Sequence, residues 1–164
     1  GSGIIAVIAA QEIPNCRVTA TDYFPEVLAV ARSNAEKHGV FGKINFIQGD
    51  TFSGIPIAPY DFIVSNPPYI KTSHLSDLIP DVRNFEPQSA LDGGEDGLDF
   101  YRRIIPGALH YLKEGGGVVL EVGETQAKAV STLLYAGGKY EAIKITQDYG
   151  GYDRVVSARK KVNG

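Results

Sequence analysis

The chain has 164 residues, a formal net charge of −3, 43% hydrophobic and 21% charged residues, and a single cysteine. That is enough for one domain with its own core, of ordinary soluble composition. The acidic balance argues against a large sequence-independent nucleic-acid surface, lone Cys16 excludes an intrachain disulfide framework and fits a reducing cytoplasm, and no apolar run is long enough to span a membrane.

In chain order, Gly1-Ser2-Gly3 leads into a short apolar helix from Ile4 to Glu12 that Pro14 ends. Cys16, just beyond, reads as a small packed residue. Arg17 to Asp22 alternates with β-branched residues and reads as a strand. Pro25 suits a first helical position, Val27, Leu28, Ala31 and Ala35 form the apolar stripe of the helix, and Gly39 stops it. Ile44 to Ile47 is the next strand, ending at Gly49-Asp50, and Asp61 to Ser65 is another. The stretch from Ile70 to Gly97 has little periodicity and reads as a long functional loop rimming a site. Leu98 to Leu112 reads as a helix. After Gly115-Gly116-Gly117, a buried strand covers Val118 to Val122, and Thr125 to Tyr135 is helical. Lys139 to Gln147 and Asp153 to Arg159, joined by Tyr149-Gly150-Gly151-Tyr152, read as an antiparallel hairpin. The tail Arg159-Lys160-Lys161 reads as a solvated terminus. The alternation of strand and helix predicts an α/β fold, doubly wound and Rossmann-like, with a mostly parallel sheet and a C-terminal antiparallel hairpin.

Asn66-Pro67-Pro68-Tyr69 follows the apolar run Phe62-Ile63-Val64. Two prolines make a rigid loop poor in N–H donors. What remains are acceptors, the Asn66 side-chain oxygen and nearby carbonyls, beside the flat ring of Tyr69. Such a loop suits a planar N–H group held by its hydrogens while its nitrogen reacts. Gly1, Ser2 and Gly3 form either a glycine-rich turn that lets a ligand approach a helix N-terminus or the remnant of a cloning site. Asp22 ends a strand where doubly wound folds place an acceptor for ribose hydroxyls; its plainer reading is a turn aspartate ahead of Pro25. Asp50, followed by Thr51, ends the next strand and suits the amino group of an adenine, or is a loop residue. As successive strand ends of one sheet, Gly1–Gly3, Asp22, Asp50 and Asn66 are expected to line one crevice. Asp92-Gly93-Gly94-Glu95-Asp96-Gly97 fails the calcium-loop pattern and reads as a tight turn capping the following helix. His38, His74 and His110 have no metal-ligand spacing, and no metal is expected.

Together, Gly-Ser-Gly, Asp22, Gly49-Asp50 and Asn66-Pro67-Pro68-Tyr69 resemble the class I S-adenosylmethionine-dependent methyltransferases. The segment from Phe85-Glu86-Pro87 to Phe100-Tyr101, and the ending Tyr152-Asp153-Arg154-Val155-Val156, look more narrowly like the HemK-type protein-(glutamine-N5) methyltransferases. The resemblance covers essentially the whole chain, residues 1–164, as a catalytic domain. It implies S-adenosylmethionine as cofactor, with S-adenosylhomocysteine as product. It implies that the glutamine of a Gly-Gly-Gln loop in peptide chain release factors is the methyl acceptor, and that the enzyme is cytoplasmic. Asn66, Pro67 and Tyr69 are then catalytic, Pro68 joins them in holding the substrate, and Gly1, Ser2, Gly3, Asp22, Asp50, Thr51 and Asn66 hold the cofactor. The family pattern has a first strand carrying an acidic residue and a first glycine, and an N-terminal helical substrate domain; these are expected to be missing here. A ribosomal-protein glutamine methyltransferase, a nucleic-acid amino methyltransferase acting on adenine or guanine, and a catalytically silent binding module are the rival readings. No membrane partner and no strong direct nucleic-acid binding are expected.

Overall fold

The computed structural model describes residues 1–162, apart from the side chains of Val82, Asn84 and Phe85; of the motif beginning at Phe85, that one side chain therefore lies outside the described residues. The chain forms two compact units, Gly1–Pro56 and the remainder from Ile57 onward.

In the first unit, helix α1 (Ile4–Glu12) leads to strand β1 (Val18–Asp22), helix α2 (Pro25–Lys37) and strand β2 (Ile44–Gln48). Pro25 sits in the first turn of α2, where its missing N–H is not needed, and Gly39 turns the chain at φ +70°. The strands pair in parallel, Val18 opposite Ile44 and Asp22 opposite Gln48. Both helices pack on these strands and on each other. The core gathers Ala6, Val7 and Ala10 of α1, Leu28, Ala31 and Ala35 of α2, and Val40, Ile44 and Phe46. The α1 core contacts are small, while the larger Ile4, Ile5 and Ile8 stay exposed. A close approach of the two helices explains this choice: a Cβ on Gly3 would stand 2.8 Å from that of Ala31. Cys16 is only half-buried rather than packed in the core.

The second unit carries a four-stranded sheet in the order β3-β4-β6-β5, formed by β3 (Tyr60–Ser65), β4 (Leu112–Glu121), β5 (Tyr140–Gln147) and β6 (Asp153–Lys160). β3 and β4 are parallel; β6 returns antiparallel between β4 and β5. Helix α4 (Asp99–Ala108) packs on β4 and on helix α5 (Ala127–Ala136), which covers β5 and β6. Tyr101, Ile104, Val118, Leu120, Val122, Val130, Leu134 and Val156 are buried here. The Tyr140 hydroxyl donates to the Ile105 carbonyl at 2.6 Å, tying β5 to α4, and burial pushes its pKa up to about 12. The hairpin turn is organised by Asp148, whose carboxylate accepts the Gly150 and Tyr152 amides while Gly151 takes φ +83°.

Parallel β1–β2 and β3–β4 pairs and the antiparallel β5–β6 hairpin realise the α/β expectation. The structure departs from the sequence reading in several places. The helix expected to Leu112 ends at Ala108: past Pro106 and Gly107 the amides of Leu109, His110 and Tyr111 make tighter bonds three residues back. β4 starts at Leu112 and runs through the glycines. Gly117 is needed there because a Cβ would come within 2.7 Å of the Phe62 ring across the ladder. The aperiodic segment after Ile70 holds single helical turns at Thr72–Asp77 and Gln88–Ala90 and a short helix α3 (Pro80–Phe85). The basic tail is not a free solvated end. Lys160 Nζ donates to the Leu109 and Leu112 carbonyls, closing the end of α4, and Arg159 donates to the Gly115 carbonyl. Among the described residues, no helix is long and apolar enough to cross a membrane.

Candidate active site

Asp22, Asp50 and Asn66 fall at or just beyond the carboxyl ends of parallel strands, the end at which open α/β sheets bind ligands. Gly1, Ser2 and Gly3 instead precede α1, and the strands belong to two sheets, β1–β2 and the sheet that begins with β3, rather than to the one sheet expected. In the first unit, Asp22 closes β1 and the Gly49-Asp50-Thr51 turn follows β2, joined to it by the Gly49 amide donating to the Asp22 carbonyl at 3.0 Å. Asp22 is a half-buried carboxylate with defined partners. Its Oδ1 accepts the Phe24 amide at 3.0 Å, and its Oδ2 accepts the amino group of Gly1. The turn role anticipated for Asp22 is therefore visible in its bond to the Phe24 amide. Gly3, at φ +82°, precedes α1, whose first amides have no partner within the helix. The Ser2 carbonyl accepts the Asn34 side-chain amide at 2.9 Å. The turn after β2 is tight: the Ser53 amide returns to the Asp50 carbonyl, Thr51 takes φ +56° and donates its hydroxyl to Asp50 Oδ1. A Cβ on Gly49 would lie 2.0 Å from the Ser53 carbonyl oxygen, so only glycine fits.

In the second unit, Asn66-Pro67-Pro68-Tyr69 leaves β3 beside the end of β4. Asn66 is exposed, and among the described residues no hydrogen bond engages its carboxamide; Pro67 is buried and Pro68 and Tyr69 are half-buried. The loop is therefore a fixed base carrying one unengaged amide side chain. The base is fixed from several sides. The Ile70 amide donates to the Leu91 carbonyl at 2.9 Å, the Gly93 amide returns to the Ile70 carbonyl at 2.8 Å, and the Thr72 amide reaches the Gly94 carbonyl. Asp92 locks this bridge by accepting the Thr72 hydroxyl and the Gly94 amide on one oxygen, contacts that hold its carboxyl below the usual range. The second half of the 70–97 segment is thus zipped to the strand that leaves Tyr69, rather than forming an open rim along its whole length.

The turn before α4 behaves as its acids predict. Asp96 Oδ1 accepts the Leu98 amide, and Arg102 pairs with both Asp96 and Asp99; the guanidinium draws the Asp96 carboxyl down to about 2. Tyr101, fully buried, donates its hydroxyl to the Glu121 carbonyl at 2.7 Å. The Tyr69 phenol is shifted upward, chiefly by burial and then by the Glu121 carboxylate, with Arg154 opposing. It stays protonated at neutral pH. Arg154 is itself oriented by Asp148 at 3.1 Å and by the Val122 carbonyl. Glu121, and Gln126, whose side-chain amide donates to the Tyr69 carbonyl, are the members of this cluster that motif reading missed. The cue was present as a glycine after an apolar strand, followed three residues on by a polar residue opening a helix.

The methyltransferase small domain family matches residues 1–82. The release factor glutamine methyltransferase of Geobacter sulfurreducens is 43% identical over 159 residues, covering 97% of this chain and 55% of that protein. The protein of the same name from Moorella thermoacetica is 44% identical over 161 residues, covering 98% and 56%. The chain thus spans about half the length of these curated relatives. Among solved structures, a methyltransferase from Pyrococcus furiosus superposes with a TM-score of 0.71 at 20% identity, covering 97% of this chain and 70% of that one. TrmN from Thermus thermophilus gives 0.68 at 25%, covering 98% and 41%.

Proposed function

Because the chain belongs to the methyltransferase small domain family, we propose that it is the catalytic portion, residues 1–164, of an S-adenosylmethionine-dependent protein-(glutamine-N5) methyltransferase. Its acceptor is the side-chain amide nitrogen of the Gly-Gly-Gln glutamine of peptide chain release factors. The observation that carries this reading is the Asn66–Tyr69 loop: a rigid, donor-poor base presenting an exposed carboxamide that no hydrogen bond engages among the described residues. The similarity to release factor glutamine methyltransferases over nearly the whole chain supports the choice of acceptor. The site of action is then the cytoplasm, where the translation machinery works.

The residues present suit the cofactor. Asp22 and Asp50 offer carboxylate oxygens for ribose hydroxyls and an adenine amino group, Thr51 adds a hydroxyl, and Gly1, Ser2 and Gly3 bring backbone close to a helix N-terminus. The bound cofactor supplies a methyl group activated on a sulfonium. The difficulty lies with the acceptor, since an amide nitrogen has its lone pair delocalised into the carbonyl. Asn66 Oδ1 and the Pro67 carbonyl accept the two amide hydrogens, Pro68 stiffens the turn, and the Tyr69 ring packs against the amide plane. Held by its hydrogens, the nitrogen presents its face for in-line attack, and the two oxygens stabilise the positive charge that grows on it. Its N–H acidifies as the new bond forms, so the proton leaves to water without a strong base acting first.

Methyl transfer from labelled S-adenosylmethionine, offered in parallel to a release factor, ribosomal protein and RNA, tests the reading. Label on release factor well above the other two is expected. Label chiefly on RNA or on ribosomal protein would replace release factor as the acceptor, and binding without transfer to any of them would indicate a silent module.

A further inference from the structure

Tyrosines aside, Gln126 is the only buried polar or charged side chain among the described residues, 8% exposed, and no role in the chemistry above falls to it. Its carboxamide is fully occupied by three separate stretches of backbone. Nε2 donates to the Tyr69 carbonyl at 2.8 Å and to the Gly97 carbonyl at 3.1 Å, and Oε1 accepts the Gly123 amide at 3.0 Å. One side chain at the head of α5 thus joins the acceptor loop after β3, the end of the long 70–97 segment, and the end of β4.

The surroundings are built to admit it. A Cβ on Gly97 would stand 2.5 Å from both Nε2 and the Tyr69 carbonyl oxygen. One on Gly123 would stand 2.9 Å from Oε1 and 3.3 Å from the Tyr69 ring, and one on Gly93 only 2.7 Å from the Tyr69 Cα. Three glycines therefore line the loop on the sides where Gln126 and the returning segment meet it. Resting on the proposed function, we infer that Gln126 is a positioning residue for methyl transfer: by holding the Tyr69 carbonyl it anchors the peptide at the end of the acceptor loop, and with it the Tyr69 backbone that sets the ring against the acceptor amide. The chemistry of the contact is specific. Two donors and one acceptor on a planar group are needed, and glutamine alone of the side chains of this size supplies them. Methionine fills the same volume with none of the bonds. Glutamate keeps the acceptor for Gly123 but sets a carboxylate against two carbonyl oxygens until it takes up a proton.

The test compares the full chain with Gln126→Met and Gln126→Glu. Amide hydrogen exchange at Ile70 and Gly93, whose protons close the bridge beside Tyr69, is expected to quicken in both variants while the β4–β6 ladder keeps its protection. In methylation assays kcat is expected to fall about tenfold to a hundredfold, as for a misplacement of reacting groups of about 1 Å. KM for S-adenosylmethionine should stay within about threefold, because no cofactor-binding residue is touched. The Gln126→Glu variant should recover towards the unaltered protein as pH falls from about 8 to about 6, because burial raises the carboxyl pKa and the protonated form regains one donor. Unchanged exchange at Ile70 and Gly93, a kcat within twofold, or loss of protection across the whole sheet would overturn the inference. If the unaltered protein methylates no release factor, the functional reading fails by itself, and the exchange comparison alone decides whether Gln126 sets the loop.

Discussion

Replacing Asn66 by alanine is expected to lower turnover about a hundredfold to a thousandfold, the cost of removing one hydrogen-bond acceptor or donor aimed at charge that develops in a transition state. The fold should barely notice. Asn66 is exposed and its carboxamide bonds to nothing among the described residues, and surface substitutions of this kind change stability by about 0.5 kcal/mol or less. Loss of activity in a protein of unchanged melting temperature therefore reports on chemistry alone. Cofactor affinity should fall only modestly, within about threefold, because Asn66 contributes at most one of several contacts. Single-turnover methylation beside calorimetric titration of S-adenosylmethionine separates the two effects. Turnover within a factor of about three of the unaltered protein would remove Asn66 from the mechanism.

The second large effect is the opposite one. Asp22→Asn keeps an oxygen in place for the Phe24 amide, so the turn between β1 and α2 survives, but it removes the charge. Hydrogen bonds to a charged acceptor contribute about 1.5–3 kcal/mol against about 0.5–1.5 for neutral ones. Losing that difference at two ribose hydroxyls raises the cofactor dissociation constant about tenfold to a hundredfold. At saturating cofactor, kcat should return to near its normal value, since the acceptor loop is untouched. An unchanged dissociation constant would leave Asp22 with its turn role only, which its bond to Phe24 already satisfies.

What the sequence made legible, and what it did not, follows the range of the interactions involved. α1 and α2 lie where their local signals put them, because Pro14, Pro25 and Gly39 act on their own neighbours. The hairpin was equally readable from its alternation and its Gly-Gly turn, which Asp148 then caps. The candidate residues at strand ends needed only the strands to be found. The errors occur where distant residues decide. The end of α4 is fixed by Lys160, some fifty residues away, whose ammonium takes the carbonyls there. The same bonds turned an apparent solvated tail into part of the packing. The 70–97 segment has no period of its own because its order comes from Asp92 meeting Thr72 and Ile70 meeting Leu91 and Gly93. Gln126 carried only the faint cue of a polar residue three positions after a strand-ending glycine; its meaning lies in a carbonyl 57 positions earlier. Gly93 and Gly97 become intelligible in the same way, as room left for Tyr69 and Gln126, and Gly94 as room left for the Asp99 carboxylate.

The central claim is that the Asn66–Tyr69 loop delivers a glutamine side-chain amide for methylation. Its most direct test is tandem mass spectrometry of a release factor incubated with the protein and S-adenosylmethionine. A single added methyl group on the side-chain nitrogen of the Gly-Gly-Gln glutamine, absent when Asn66→Ala replaces the unaltered protein, is the predicted result. A methyl group on any other residue, or an unmodified glutamine in the presence of protein that demonstrably binds the cofactor, would contradict it.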